Sequence, residues 1–188
     1  MRSLKNAVLL GAVSLIISGC GGGGESGTAA TPVAVSGPPA ASQYETQTKA
    51  AKDAFNQRLE SAQAQSDEWM ESNRREANVK TTQSGLQYKV NKPSSNPDGA
   101  SYQAGQEVTV HYEGRLIDGT VFDSSFARGR PEILNPSELI QGWQEALNLM
   151  KPGDEWTLFI PPALGYGTRG KGGGIPANAV LIFDVELR

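Results

Sequence analysis

The second half of the chain alternates between short strand-like segments and tight turns. In the longest of these segments, residues 107–117, Val108, Val110 and Tyr112 share one face while polar side chains share the other. Asp118-Gly119 follows directly, and this dipeptide is typical of a tight turn between antiparallel strands. Shorter extended segments are predicted at 86–90, 121–122, 155–160 and 180–187.

One segment of this half has the spacing of a helix. Its apolar residues are three or four positions apart and predict a short helix near 141–149, which Pro152 ends. Several antiparallel strands and one short helix predict an α+β domain.

Composition excludes several classes of protein. The 188 residues contain one Cys and one His, so a disulfide framework is excluded and a zinc site of Cys and His is not expected. The net charge is −3, and this lack of basic excess argues against a nucleic-acid partner. We expect no metal and no cofactor.

The N-terminus has the pattern of an export signal. Arg2 and Lys5 precede an apolar run over 7–17 that is too short to span a bilayer comfortably. Ile17-Ser18-Gly19-Cys20 then resembles a bacterial lipobox, in which cleavage exposes the cysteine for attachment of lipid. The alternative is an ordinary signal peptide with an incidental cysteine. Gly21, where Asp usually signals inner-membrane retention, resembles the outer-membrane pattern of a Gram-negative cell.

A linker and a helical arm separate this signal from the domain. Residues 21–39 are rich in Gly, Ala, Pro and Ser and bury too little apolar surface to order themselves. Good helix formers then dominate to about residue 78. The predicted organisation is a signal peptide over 1–19, lipidated Cys20 with its linker over 20–40, an arm over 41–80 and a domain over 84–188.

The arm has a thin apolar stripe, and three interpretations are open. It is a solvated helix that leans on the domain, a coiled coil that forms a homodimer, or an arm that holds peptides. The stripe consists of Tyr44, Ala51, Phe55, Leu59, Ala62 and Trp69.

Two motifs suggest chemistry that their surroundings do not support. Residues 165–170 match the dinucleotide fingerprint GxGxxG, but glycines and Pro176 follow where a helix is needed. His111, Asp123 and Ser124 are the residue types of a hydrolase triad, but no nucleophile elbow is present. Asp123 is either a turn cap or a site carboxylate, and the aromatic residues are either core or pocket lining.

The domain as a whole resembles the FKBP-type peptidyl-prolyl cis-trans isomerases, in its bacterial envelope lipoprotein branch. The matching segments run in the family's order over residues 84–188. They are Val110-His111-Tyr112-Glu113-Gly114, Val121-Phe122-Asp123-Ser124-Ser125, Leu139-Ile140-Gln141-Gly142-Trp143, Pro161-Pro162, Gly165-Tyr166-Gly167, Ile175-Pro176 and Leu181-Ile182-Phe183-Asp184-Val185.

The resemblance implies a curved antiparallel sheet wrapped around the short helix, with a substrate pocket between them. It assigns catalytic roles to Asp123, Tyr166, Ile140 and Phe122. The Ile140 N–H and the Tyr166 hydroxyl would hold substrate carbonyls, and Asp123 would orient a tyrosine. The residues that it assigns to substrate binding are Tyr112, Leu139, Trp143, Ile175 and Phe183, with Trp143 as the floor.

The implied function is isomerisation of prolyl peptide bonds during the folding of exported proteins. Its expected partners are proline-containing polypeptides and macrolides of the type that FKBP proteins bind, with membrane attachment through Cys20. The alternative is a non-catalytic chaperone or peptide-binding lipoprotein that uses the same pocket. Three positions depart from the family pattern: Leu134 stands where Phe is usual, Gly174 where an apolar residue is common, and Ala177 where a second proline is common.

Overall fold

The computed structural model describes residues 41–96 and 106–188. The predicted signal peptide, Cys20 and the linker lie outside these residues, as does most of the loop that precedes the longest strand. The helices and strands in chain order are α1 (Ala41–Asn73), β1 (Val79–Thr81), β2 (Gln87–Lys92), β3 (Val108–Leu116), β4 (Val121–Ser124), β5 (Glu132–Leu134), α2 (Gln141–Leu149), β6 (Glu155–Ile160) and β7 (Leu181–Leu187).

All strands join one antiparallel sheet, as the α+β prediction requires. Its order is β1-β2-β6-β7-β3-β4, and β5 pairs with β3 as well. On the edge of β3 away from β7, the end of the strand pairs with β4 and its beginning with β5. The two short strands therefore share one edge of β3 and leave a gap between them, close to Tyr112.

The predicted boundary of the arm is wrong, and two strands were not foreseen. The helix ends at Asn73 rather than near residue 78. Residues 79–81 form β1, although the predicted arm extended to residue 80. Asn78 has a φ of +67°, a conformation that a helix cannot continue. With three residues each, β1 and β5 are too short for alternation to mark them in the sequence.

Helix α2 packs its apolar face against the sheet. Ala146, Leu147 and Met150 are fully buried together with Leu158 and Ile160 of β6. These side chains form one cluster with the inward-facing residues of β3 and β7. Burial of that apolar face is the main interaction that holds the helix on the sheet.

The second half of α1 leans on the domain. The buried Ser66 hydroxyl donates to the carbonyl of Asn178, whose side-chain amide donates to the Leu59 carbonyl at 2.9 Å. Near the end of α1, the Gln87 amide donates to the Met70 carbonyl at 2.8 Å. Residues 44–58, in contrast, are exposed throughout. The interpretation of a leaning helix therefore describes 59–73, and these contacts do not account for the first half.

Within the described ranges, 41–96 and 106–188, no helix combines the length and the apolar character needed to cross a membrane.

Gly142 in α2 lies directly against β6, and we expect Gly142→Ala to destabilise the domain. The added Cβ would stand 2.6 Å from Cγ2 of Ile160, which is buried and stiff because it is β-branched. The gain in helix propensity is about 1 kcal/mol, and such overpacking costs about 1–3 kcal/mol. We expect the free energy of unfolding in urea to fall by about 1 kcal/mol.

Gly172→Ala is the matched control, since its added Cβ meets nothing within 4 Å. It should change the free energy of unfolding by no more than about 0.5 kcal/mol. Equal stability of the Gly142 variant and the wild type would contradict the tight packing of α2 on β6.

Candidate active site

An open cavity of about 400 Å³ lies between α2, the sheet and the loop before β7. All nine residues that the sequence assigned to catalysis or substrate binding line it. Five further lining residues were not in that set, although Leu134 had been noted as a departure. The complete lining is Tyr112, Phe122, Asp123, Leu134, Glu138, Leu139, Ile140, Trp143, Tyr166, Lys171, Gly172, Gly173, Ile175 and Phe183.

Four aromatic rings pack edge-on in a row at the base of the cavity. The Trp143 ring lies edge-on to Tyr112, with centroids 5.5 Å apart, and edge-on to Phe183, with centroids 5.3 Å apart. Phe122 adds a further edge-on contact to Phe183 at 5.5 Å. These are favoured aromatic geometries, and Trp143 itself is only 4% exposed. The base of the cavity is therefore apolar and well packed.

Gly114 makes room for this arrangement. A Cβ on Gly114 would stand 2.6 Å from Cε1 of Phe183 and 2.7 Å from Cε2 of Phe122. Gly114 pairs in register with Phe183 on one side and with Asp123 on the other. The absence of a side chain on β3 thus lets two rings from neighbouring strands pack over the backbone.

Asp123 belongs to a hydrogen-bonded group with Tyr112 and Arg128. The Tyr112 hydroxyl donates to Oδ2 of Asp123 at 2.6 Å, and Nη1 of Arg128 lies 2.6 Å from Oδ1. Nη2 of Arg128 donates to the Tyr112 oxygen at 3.1 Å, and its Nε pairs with Glu132 at 2.9 Å. Every polar atom of the Asp123 carboxylate and of the Tyr112 hydroxyl is thereby engaged. The carboxylate is therefore tied to two side chains beside the cavity.

These contacts shift the pKa values of the group in opposite directions. Burial, the Asp123 hydrogen bond and the Asp123 charge raise the pKa of Tyr112 to about 12. Partial burial raises the pKa of Asp123, but hydrogen bonds from Tyr112 and Arg128 and the charge of Arg128 outweigh it, so this pKa lies below its usual value. At neutral pH the tyrosine is therefore a neutral donor and the carboxylate is ionised.

The two tyrosines of the cavity have different hydrogen-bonding states. The Tyr112 hydroxyl donates its hydrogen bond to Asp123, whereas the Tyr166 oxygen accepts a hydrogen bond from Nζ of Lys171 at 3.2 Å. Among the described residues, no acceptor takes the Tyr166 proton. Tyr166 can therefore donate to a ligand in the cavity, and Tyr112 cannot without leaving Asp123.

A second free donor is the backbone of Ile140, at the start of α2. Ile140 is extended, with φ −61° and ψ 152°, and its carbonyl accepts from the N–H groups of Trp143 and Gln144. Its own N–H has no partner within the described part of the chain, as is usual at the beginning of a helix. The cavity thus offers two donors, the Ile140 N–H and the Tyr166 hydroxyl, to carbonyl oxygens.

Ser125 lies in the gap between β4 and β5 and bonds to the backbone of β3 there. Its hydroxyl accepts from the Tyr112 N–H at 2.7 Å, and its N–H donates to the Tyr112 carbonyl at 2.9 Å. One buried serine thereby replaces the ladder bonds that neither short strand supplies. This arrangement keeps Tyr112 and Asp123 beside each other at the edge of the cavity.

The two motifs set aside in the sequence do not form sites. His111 bonds to Ser125, while Ser124 bonds to Glu113 at 3.1 Å, so no relay connects the residues of a hydrolase triad. The GxGxxG segment contains a short 3₁₀ turn at Gly167–Arg169, followed by a bridge between Lys171 and Ile175 rather than a helix. In the described residues, no group of three or more His, Cys, Asp or Glu could hold a metal ion.

Sequence reasoning missed Arg128, Glu138 and Lys171. Arg128 lies in the turn between β4 and β5, where the sequence has no periodicity that would aim a side chain back at Asp123. Leu134 lines the cavity, so an apolar wall persists at that departure, whereas Gly174 is not part of the lining. Charge was the only feature of the sequence that marked Arg128, Glu138 and Lys171. Exposed residues along the whole chain carry charge as well, so this feature does not point to a site.

Comparison with known proteins identifies the family. Residues 99–188 match the family described as FKBP-type peptidyl-prolyl cis-trans isomerase, and residues 30–90 match the domain amino terminal to it. A peptidyl-prolyl cis-trans isomerase from Pseudomonas syringae has 32% identity and a TM-score of 0.63, covering 68% of this chain and 92% of that structure. The chain belongs to the FKBP-type peptidyl-prolyl cis-trans isomerase family.

Further relatives come from bacterial members of this FKBP-type family. The peptidyl-prolyl cis-trans isomerase Mip of Coxiella burnetii is 49% identical over 119 residues, which is 63% of this chain and 50% of that protein. The crystal structure of FkpA from Escherichia coli has 37% identity and a TM-score of 0.68, covering 78% of this chain and 67% of that chain. The chain spans about half to three fifths of the length of the first curated relatives that it matches.

Removing the Arg128 cation should raise the pKa of Asp123. In Arg128→Met the carboxylate loses its ion pair and one hydrogen bond, while its partial burial remains. A ¹³C NMR titration of the Asp123 carboxyl measures the shift. Because the pKa is depressed in the folded state, the carboxylate stabilises the fold above its unfolded pKa. That contribution disappears as the pH falls through the folded pKa, so the variant should lose it at a higher pH.

Arg130→Met is the matched control, because Arg130 is in the same turn but is exposed and makes no side-chain bond to Asp123. Its Asp123 titration should follow the wild type. An unchanged pKa in Arg128→Met would show that the ion pair does not hold the carboxylate in solution.

Proposed function

We propose that this protein catalyses cis-trans isomerisation of prolyl peptide bonds in proline-containing polypeptides. The observation that carries the proposal is the convergence of an aromatic, well-packed cavity with two free hydrogen-bond donors, Tyr166 and Ile140. Membership of the FKBP-type family supports the same activity. The alternative of a non-catalytic chaperone is not favoured, since relatives such as those from Coxiella burnetii and Escherichia coli are named isomerases.

The reaction requires an environment rather than a reactive group. A prolyl bond isomerises over a barrier of about 18–20 kcal/mol, in which the amide twists and loses resonance. Its charge separation falls as it twists, so water favours the planar ground state more than an apolar cavity does. Moving the amide from water into the cavity over Trp143 therefore lowers the barrier. Each 1.4 kcal/mol of preferential binding of the twisted form gives about tenfold in rate.

The free donors then hold the twisted form in place. The Tyr166 hydroxyl and the Ile140 N–H would bind carbonyl oxygens on either side of the cavity, while the proline ring packs on the indole of Trp143. Asp123, with its charge balanced by Arg128, fixes the Tyr112 ring as a wall. No residue in this scheme forms a covalent bond to the substrate or transfers a proton to it.

We also propose that the protein acts in the bacterial cell envelope, attached by lipid on Cys20, where exported proteins fold. The lipobox-like Ile17-Ser18-Gly19-Cys20 supports export and lipidation. A relative from Legionella longbeachae, 41% identical over 133 residues, is named outer membrane protein MIP. With Gly21 after the cysteine, we propose the outer membrane, facing the periplasm, in a Gram-negative cell.

Two further proposals concern partners. Macrolides of the FKBP-ligand type would occupy the cavity, since it presents the aromatic base and free donors that a proline analogue needs. A homodimer would form through the first half of α1, where Tyr44 and Phe55 are 53% and 57% exposed on the predicted stripe. Burial of these side chains against a second copy would give the exposed half of the helix an apolar partner.

Two substitutions in the cavity test the isomerase activity. Tyr166→Phe removes one donor and should lower kcat/KM about three- to tenfold, the effect of one hydrogen bond. Phe122→Ala opens an aromatic wall and should lower it at least tenfold. Exchange NMR on a prolyl peptide measures the rates, and an FKBP-directed macrolide should inhibit the wild type.

Tyr88→Phe is the control for loss of a hydroxyl, because Tyr88 stacks on Trp156 and does not line the cavity. It should retain wild-type kcat/KM. A wild-type chain that neither accelerates isomerisation nor binds the macrolide would refute the proposal and favour the non-catalytic alternative.

Cys20→Ser tests the anchor. In a Gram-negative host the wild type should fractionate with membranes and incorporate labelled palmitate, because acyl chains contribute about 0.8 kcal/mol for each buried CH₂ group. The variant should lose the label, whereas Ser26→Ala, in the linker, should be labelled as the wild type is. Incorporation of palmitate by the Cys20→Ser protein, or its absence from the wild type, would contradict lipid attachment at this position.

A further inference from the structure

Lys171 places a positive charge at the rim of the cavity. It lines the cavity at the start of the loop before β7, and its side chain is exposed. Its Nζ donates to the Tyr166 oxygen at 3.2 Å and lies 5.1 Å from the centre of the Tyr166 ring. Both contacts are to a neutral group. Among the described residues, no carboxylate lies within ion-pair distance of Lys171.

The other charges around the cavity are on different elements. Asp123 is neutralised by Arg128, which also pairs with Glu132. Glu138 is exposed at the end of the 3₁₀ turn Pro136–Glu138, which leads into α2. The rim therefore carries an unpaired cation beside Tyr166 and an anion beside α2.

The loop that carries Lys171 is closed by two backbone hydrogen bonds and has open space beside its glycines. The Lys171 N–H donates to the Ile175 carbonyl at 2.9 Å, and the Ile175 N–H donates to the Lys171 carbonyl at 3.2 Å. The residues between them, 172–174, are all glycine, and a Cβ added to any of them would meet nothing within 4 Å. A polypeptide that passes this loop therefore has space for a long side chain next to Lys171.

The Tyr166 hydrogen bond sets the reach of the ammonium group. A substrate carbonyl that accepts from the Tyr166 hydroxyl lies about 2.7 Å from its oxygen. Nζ of Lys171 is 3.2 Å from the same oxygen, so it lies within two hydrogen-bond lengths of that carbonyl. Because neighbouring residues are about 3.3–3.6 Å apart along an extended chain, a glutamate within two residues of the proline can reach it.

The geometry points to Lys171 as a specificity-determining residue that favours prolyl substrates with an acidic side chain next to the proline. This inference rests on the proposed isomerase function and adds a substrate class to it. The ion pair would form at an exposed rim, where such pairs are weak and sensitive to salt. We therefore expect a Glu-containing peptide to exceed its Gln counterpart in kcat/KM by about threefold at low salt.

Paired peptides in exchange NMR test this preference without a coupled protease. Acetylated, amidated peptides carry Glu, Gln or Leu immediately before the proline, and a second series varies the residue immediately after it. The full chain should prefer Glu over Gln in at least one series, and 0.5 M NaCl should reduce the ratio towards one. Lys171→Met should abolish the preference, and Lys171→Glu should reverse it.

Arg169→Glu is the matched control, because Arg169 is exposed two residues away, does not line the cavity and undergoes the same change of charge as Lys171→Glu. It should keep the wild-type ratio of Glu to Gln. An equal shift in both variants would indicate a diffuse field and overturn the role of Lys171. A wild-type ratio of one in both series would overturn it as well, even if neither Lys171 variant folds.

The Leu peptides separate this inference from the proposed function. Turnover of the Leu peptides with a Glu to Gln ratio of one refutes the acidic preference and leaves the isomerase activity intact. No turnover of any peptide by the wild type refutes the isomerase activity, and the preference fails with it.

Discussion

The edge-on packing of Trp143 against Tyr112 and Phe183 is the contact on which the rest of the site depends. It joins α2 to two neighbouring strands of the sheet, and it lies directly beneath the cavity. The edge-on contacts are favoured aromatic geometries, and they set the apolar surface beneath the cavity. At the other end of α2, Ala146, Leu147 and Met150 close completely against the sheet. The cavity lies above the rings, between the start of α2, the sheet and the loop before β7.

The polar rim depends on a local interruption of the sheet. Because β4 and β5 share one edge of β3, the chain between them turns away at Tyr112, and Ser125 satisfies the backbone groups that would otherwise be unpaired. The same turn carries Arg128 back to Asp123. The interruption thus positions an ionised carboxylate and its cation beside an apolar cavity at little cost, since each charge has a partner.

These two features assign different tasks to similar side chains. Tyr112 is a wall because its hydroxyl already donates to Asp123. Tyr166 is a donor because Lys171 bonds only to its oxygen and leaves the hydroxyl hydrogen available. In the proposed function, the apolar base would favour the twisted prolyl bond for any sequence, whereas the rim cation would distinguish among the residues that flank the proline. The proposal thus assigns catalysis and selectivity to separate layers of one cavity.

The sequence by itself determined the elements whose pattern repeats and the residues of recognisable motifs. Alternation predicted β3, apolar spacing predicted α2, and the family resemblance identified the nine site residues that the cavity brings together. Tertiary structure alone decided the end of the arm, the short strands β1 and β5, and the positions of Arg128 beside Asp123 and of Lys171 at the cavity rim. Periodicity indicates which face of a helix or strand is buried. The other features arise from contacts between residues that lie on turns or pair across the sheet. No local pattern in the sequence identifies the partner of such a residue.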